Sequence, residues 1–419
     1  MAGDKLEILN LGPKLKFIGE FIPHLYSFSI GIFFSLGSRD ENRGKEGKTH
    51  FLEHMLFKGT RKRSAQELFK KIESLGGTFD AYTTKENTIL VTRFLKEYQD
   101  DVVDIILEMM NEATLPEDEF EKEKAVILEE IKSSREDPED RVFDLLFEVA
   151  FKPHPIANPI VGFSESVISL TRDEILGHFQ SFISQPITVA VAGNYHQDSL
   201  IDKIGRIRGN DLERVSRIKP TFNAKKVAIE GRRDISQVYV ALGTLSFPFP
   251  DERRYPINVI SSALGGGMSS RLFLRLRERE GLVYNIQTFN ELFSDIGLMG
   301  IFFIADQKNL YRCLEVIKEE LLKLKGSGFT DEEIQIHRSL IKGNFLIGLE
   351  NTSNRMLRLG RSLSQLGKVP EIAEVIEKID GVDHESISEL LPKLCSPDRY
   401  TIAVVGEAEE DEVRGFFER

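Results

Sequence analysis

SFSIGIFFSLGSRDENRGKEGKTHFLEHMLF, residues 27–57, carries two signals side by side. SFSIGIFFSLGSRDE (27–41) reads as a strand run ending in a polar loop, and HFLEHMLF (50–57) as a short apolar helix that closes at Gly59. Reading onward, AQELFKKIESLGG (65–77) is a helix stopped by paired glycines. FDAYTT (79–84) and TILVTRFL (88–95) form a strand pair, and DVVDIILEMMNEA (101–113) returns to helical spacing. The same order recurs in the second half. ISQVYVALGTLSFPFPDER (235–253) is strand then loop, and YPINVISSALGG (255–266) is a helix. LVYNIQTFNELFS (282–294) pairs with IGLMGIFFIA (296–305), and LYRCLEVIKEELLKLKGSG (310–328) is a long helix. Each half ends in a strand running into glycine, ITVAVAGN (187–194) and YTIAVVGE (400–407). A period of about 200 residues exceeds any solenoid repeat and indicates a duplicated domain. The expected fold is therefore α+β, with two homologous domains over 1–210 and 225–419, each a largely antiparallel sheet flanked by helices. A basic polar stretch around 206–224 supplies the linker, assigned to 211–224.

Composition narrows the function. Of 419 residues, 29% are charged and 41% hydrophobic, ordinary globular fractions that exclude disorder, collagen and coiled coil. Lys and Arg number 55 against 67 Asp and Glu, a net charge of −12 that repels phosphate backbones, so no nucleic-acid partner is expected. With only Cys313 and Cys395, neither a disulfide framework nor a Cys-rich zinc module can form. The first residues lack the basic and apolar regions of a signal peptide, and no apolar run reaches the roughly 18 residues of a membrane span. A cytoplasmic protein is expected. Gly47-Lys48-Thr49 imitates the end of a phosphate-binding loop, but Asn42 stands where its first glycine belongs.

The chemistry sits in His50-Phe51-Leu52-Glu53-His54. On a helix, positions i and i+4 lie one above the other, so both imidazoles can face one metal. Glu53 adjoins the same face and can reach a water at that metal without being a ligand. The apolar neighbours Phe51, Leu52, Met55, Leu56 and Phe57 bury this helix, and buried histidines need partners. A catalytic zinc needs a third protein ligand and an open position. PEDEFEKEKAVILEEI (116–131) offers carboxylates: Glu123 and Glu130 share a helix face two turns apart, whereas Glu129 lies about 100° round from Glu130. The run Ala125–Leu128 marks the helix as becoming buried near Glu130.

These motifs resemble the pitrilysin/insulinase family of zinc peptidases, the H-x-x-E-H inverzincins, and specifically the bacterial relatives of mitochondrial processing peptidase. Further matching segments are GGTFDAYTTKENT (76–88), HPIANPIVGF (154–163), GGGMSSRLFLRLREREGLVY (265–284) and ENTSNRMLRLG (350–360), so the likeness spans nearly the whole chain. The resemblance implies one Zn2+ per chain held by His50, His54 and Glu130, the last standing 76 residues after His54. It implies Glu53 as general base and Glu123 as the carboxylate that orients a ligating histidine. It also implies an edge strand around Asp80 and Ala81 that holds substrate through main-chain hydrogen bonds, with Asp80 replacing the family's usual Asn. INVISSAL takes the place of the zinc helix in the second half, which keeps Arg277 and Tyr284, the family's substrate-contacting pair. The implied function is a zinc-dependent endopeptidase cleaving peptides or small unfolded polypeptides inside a clamshell chamber. A symmetric homodimer would bring Arg277 and Tyr284 of one chain to the zinc site of the other. The alternative is a catalytically silent scaffold or chaperone-like subunit of the same family.

Overall fold

Period-two alternation along Ser27–Phe34 puts Phe28, Ile30, Ile32 and Phe34 into one apolar cluster and Phe33 into another, so both faces of this strand are buried. The computed structural model describes residues 5–207 and 215–418; residues 211–214 of the expected linker lie outside the described residues, and 215–224 form no helix or strand. In chain order the first half runs β1 (Lys5–Asn10), β2 (Leu15–Phe21), β3 (Ser27–Phe34), α1 (Lys48–Leu56), α2 (Ala65–Ser74), β4 (Thr78–Thr83), β5 (Thr88–Leu95), α3 (Gln99–Glu112) and α4 (Glu117–Glu136). It continues through α5 (Pro138–Phe151), α6 (Ser164–Ser169), α7 (Arg172–Ile183), β6 (Ile187–Gly193) and α8 (Gln197–Ile204). The second half runs β7 (Val227–Glu230), β8 (Gln237–Ser246), α9 (Arg254–Gly265), β9 (Val283–Leu292), β10 (Gly297–Asp306), α10 (Leu310–Ser327), α11 (Asp331–Gly348), α12 (Thr352–Leu366) and β11 (Tyr400–Val405), with short helices between the last two.

The first sheet has the strand order β1-β2-β6-β3-β5-β4 and the second β7-β11-β8-β10-β9. Setting β1 aside, the orders are the same, and in each sheet a single pair is parallel: β2 with β6, and β7 with β11. All other pairs are antiparallel. The duplication read from sequence is thus a duplication of topology.

The two compact units do not follow the two sequence halves throughout. One gathers residues within 1–132, 158–217 and 347–369; the other takes 133–157, 218–346 and 370–419. Helix α12 therefore covers one face of the first sheet, where Met356, Leu359 and Leu363 pack with Ile18, Phe33 and Ile89. Helix α5 does the same for the second sheet, packing Val142, Leu145, Leu146 and Phe147 with Ala241, Leu298 and Phe302. Each such buried side chain is worth about 2 kcal/mol. Close approach of α12 requires glycine: a Cβ on Gly31 would meet Met356 Sδ at 2.1 Å, and one on Gly360 would meet the Phe33 ring at 1.9 Å. The opposite face of the first sheet packs against α1 to α4, and this layer positions the site.

Candidate metal centre

Helix α1 is held by its apolar side. Phe51, Leu52, Met55 and Leu56 are fully buried, which turns His50, Glu53 and His54 toward the strip between α1, α4 and β4. Helix α4 buries Phe120, Glu123, Ile127 and Ile131, at spacings of three and four. The sequence reading of Ala125–Leu128 as a buried run does not hold: Ala125 is exposed, Val126 is 50% exposed, and Glu130 lies at the edge of the buried stripe. Helical period, not local apolarity, decides which residues face inward. Glu129 is exposed.

Among the described residues, one group of three or more His, Cys, Asp and Glu side chains can hold a metal ion: His50, His54 and Glu130, with donor atoms within 4.8 Å of one another. His50 Nε2 lies 3.5 Å from Glu130 Oε1, and His54 Nε2 lies 3.6 Å from Glu130 Oε2. Those separations are long for strong hydrogen bonds. They match the roughly 3.3–3.6 Å between donors that share a tetrahedral zinc at about 2.0–2.2 Å. His50 is 7% exposed, and burial, together with the neighbouring His54, pushes its imidazole down to about 3, so it stays neutral and able to ligate. Its Nδ1 is buried without a partner. Two neutral-capable imidazoles and a carboxylate, converging without bonding one another well, fit a divalent cation of zinc's preferences.

Supporting groups surround the donors. Glu123, buried on α4, bonds His54 Nδ1 through Oε2 at 3.1 Å, which leaves Nε2 for a metal. Its Oε1 meets Lys58 Nζ at 2.5 Å. Glu53 Oε2 accepts the Thr83 hydroxyl at 2.6 Å. Burial raises the Glu53 carboxyl; Thr83 and His54 oppose that, while Asp80 and Glu130 add to it. The sequence reading missed Lys58 and Thr83. Lys58 stands four residues after His54 and Thr83 two after Ala81, so helical and strand spacing carried a signal for both.

Asp80 and Ala81 lie on β4, an edge strand paired only with β5. Thr84 N–H bonds Asn87 O at 2.7 Å, and by antiparallel alternation the main-chain groups of Phe79, Ala81 and Thr83 then point to the open edge. Asp80 Oδ1 accepts the Ala81 N–H at 2.8 Å. Ala81 and Thr83 face inward, Asp80 outward.

Arg277 and Tyr284 belong to the other unit. Arg277 lies in a π-helical turn with its guanidinium 5.3 Å from the centre of the Phe273 ring. Tyr284, on edge strand β9, is 54% exposed and donates to Asp306 Oδ1 at 3.1 Å. Helix α9 occupies the place of α1 there. It presents Asn258 and Ser262 four residues apart, and Ser262 Oγ pairs with His337 Nδ1 of α11 at 2.9 Å, an echo of His54 and Glu123 without metal donors.

Comparison with known proteins finds relatives along both halves of the chain. Residues 24–163 match the model of the insulinase family, peptidase family M16, and residues 169–341 match the peptidase M16 inactive domain. A protein named as an uncharacterized zinc protease from Mycobacterium leprae is 33% identical over 94% of this chain and 89% of its own. Another so named from Bacillus subtilis is 31% identical over 93% and 96%. A protease structure from Helicobacter pylori shares the fold at TM-score 0.89 and 20% identity, covering 96% of this chain and all of that one. A Pseudomonas fluorescens structure described as a peptidase M16 inactive domain does so at TM-score 0.88 and 16% identity, covering 96% and 98%. No helix among the described residues is long and apolar enough to cross a membrane. Matched across both halves of its length, the chain belongs to the insulinase family of peptidases, family M16.

Proposed function

We propose that the chain is a zinc-dependent endopeptidase that cleaves peptides or small unfolded polypeptides, with one Zn2+ held by His50, His54 and Glu130. The observation that carries this reading is the convergence of those three side chains within 4.8 Å, with Glu53 one residue before His54. When bound there, zinc supplies Lewis acidity, polarising a peptide carbonyl and making a water more acidic. Glu53 takes the proton from the attacking water and passes it to the leaving amine. Thr83 holds one oxygen of Glu53 by its hydroxyl, which keeps the other free for that proton. Glu123 fixes the His54 ring. The open edge of β4 receives the peptide as an added strand, with the Asp80 carboxylate withdrawing from the Ala81 N–H as the peptide docks.

Arg277 and Tyr284 contact substrate, Tyr284 donating to the developing oxyanion. In a symmetric homodimer they would serve the partner's zinc site. Mixing tests this. Glu53→Gln and Tyr284→Phe proteins should each be weak alone and regain activity after subunit exchange, because each heterodimer rebuilds one intact site. No recovery, with exchange and both defects demonstrated, would rule out action between chains.

A further inference from the structure

The two histidines of α1 are held in different ways. The His54 ring is oriented by Glu123 at 3.1 Å. The His50 ring has no such support, since its Nδ1 is buried and unpartnered. Apart from its packing against the His54 ring, the aim of His50 is set by the backbone of the first turn of α1, where it is the third residue.

That turn has an unusual cap. Gly47 precedes it with φ 88° and offers no side chain to the first amides. A Cβ there would also meet Val161 O at 2.4 Å, so no capping side chain can replace it. The acceptor comes from the preceding loop instead: Glu41 Oε2 accepts the Gly47 N–H at 2.7 Å and Oε1 accepts the Thr49 N–H at 2.5 Å. Glu41 is 7% exposed. Lys48 acts on it only at longer range, so the carboxylate is balanced chiefly by the helix amides. Burial raises its carboxyl, and although the bonds from Thr49 and Gly47 lower it, the balance stands at about 7. Thr49 is tied a second time, its hydroxyl pairing with Nε2 of the buried His178 of α7 at 3.1 Å. The residue immediately before His50 is thus fixed by its amide and its side chain.

We propose that Glu41 is the positioning residue for His50: by binding the amide of the cap residue Gly47 and that of Thr49 in the first turn, it aims the one histidine donor whose ring no supporting hydrogen bond orients. Glu41 touches neither metal nor substrate. The inference rests on zinc binding at α1, and the test separates the two.

Glu41→Gln and Glu41→Ala proteins would be compared with wild type by zinc competition against a chromophoric chelator, at a temperature where circular dichroism finds each folded. Gln keeps one acceptor oxygen and Ala none. Zinc affinity should therefore fall in steps, by a few fold and then by about tenfold to a hundredfold, the range seen when support around a metal ligand is lost. With Co2+ as probe, the absorption bands of metal-loaded Glu41→Ala should shift away from those of the wild type, a change in ligand geometry that a loss of stability alone would not produce. A folded Glu41→Ala protein with wild-type zinc affinity and an unchanged cobalt spectrum overturns the proposal. Should that variant fail to fold, an unchanged affinity and spectrum in Glu41→Gln does the same. A wild-type protein that binds neither metal overturns the zinc reading itself, and this inference falls with it.

Discussion

A Glu53→Gln protein should keep its zinc and lose at least about a hundredfold in peptide turnover. The substitution preserves the shape of the side chain and its acceptor oxygen for the Thr83 hydroxyl, so α1 and β4 have no reason to move. What it removes is the ability to take a proton from water. Glu53 is not among the three converging donors, and metal content should stay at the wild-type level. Turnover on an unstructured peptide and zinc content, measured on one preparation, check both halves. Wild-type turnover in the metal-replete variant would sink the assignment of the base.

The second large effect concerns the donors themselves. Alanine at His50, His54 or Glu130 should release the zinc on dialysis and abolish turnover, because two remaining protein ligands hold it poorly. Glu129→Ala should do neither, since Glu129 points away from the site and is exposed. Zinc stoichiometry after dialysis decides the matter. An empty site in Glu129→Ala beside a full one in Glu130→Ala would mean the wrong carboxylate was chosen.

Much of this arrangement was legible in the chain. Strand alternation in residues 27–34 and the turn glycines located β3 and the hairpins, and helical spacing put His50 and His54 on one face. Choosing Glu130 over Glu123 and Glu129 needed the family's spacing; helix geometry alone separated Glu129 from Glu130 but did not say which ligates. Other features escaped for physical reasons. An amphipathic pattern says that α5 and α12 each bury a face, but not against which sheet, and in the fold each covers the sheet of the opposite half. The apolar run at Ala125–Leu128 misled because a helix turns each successive residue by about 100°, leaving Val126 outside. Glu41 escaped because its role is made by loop geometry, through main-chain amides that have no residue signature.

Hydrolysis by the proposed mechanism depends on a metal held by His50, His54 and Glu130. The most direct test is cleavage of an unstructured peptide by the wild-type protein before chelation, after it, and after zinc is returned, with bound metal measured at each stage. The expected result is about one zinc per chain, loss of cleavage with loss of zinc, and recovery of both together. Cleavage that persists in metal-free protein, or a protein that takes up no zinc, would contradict it.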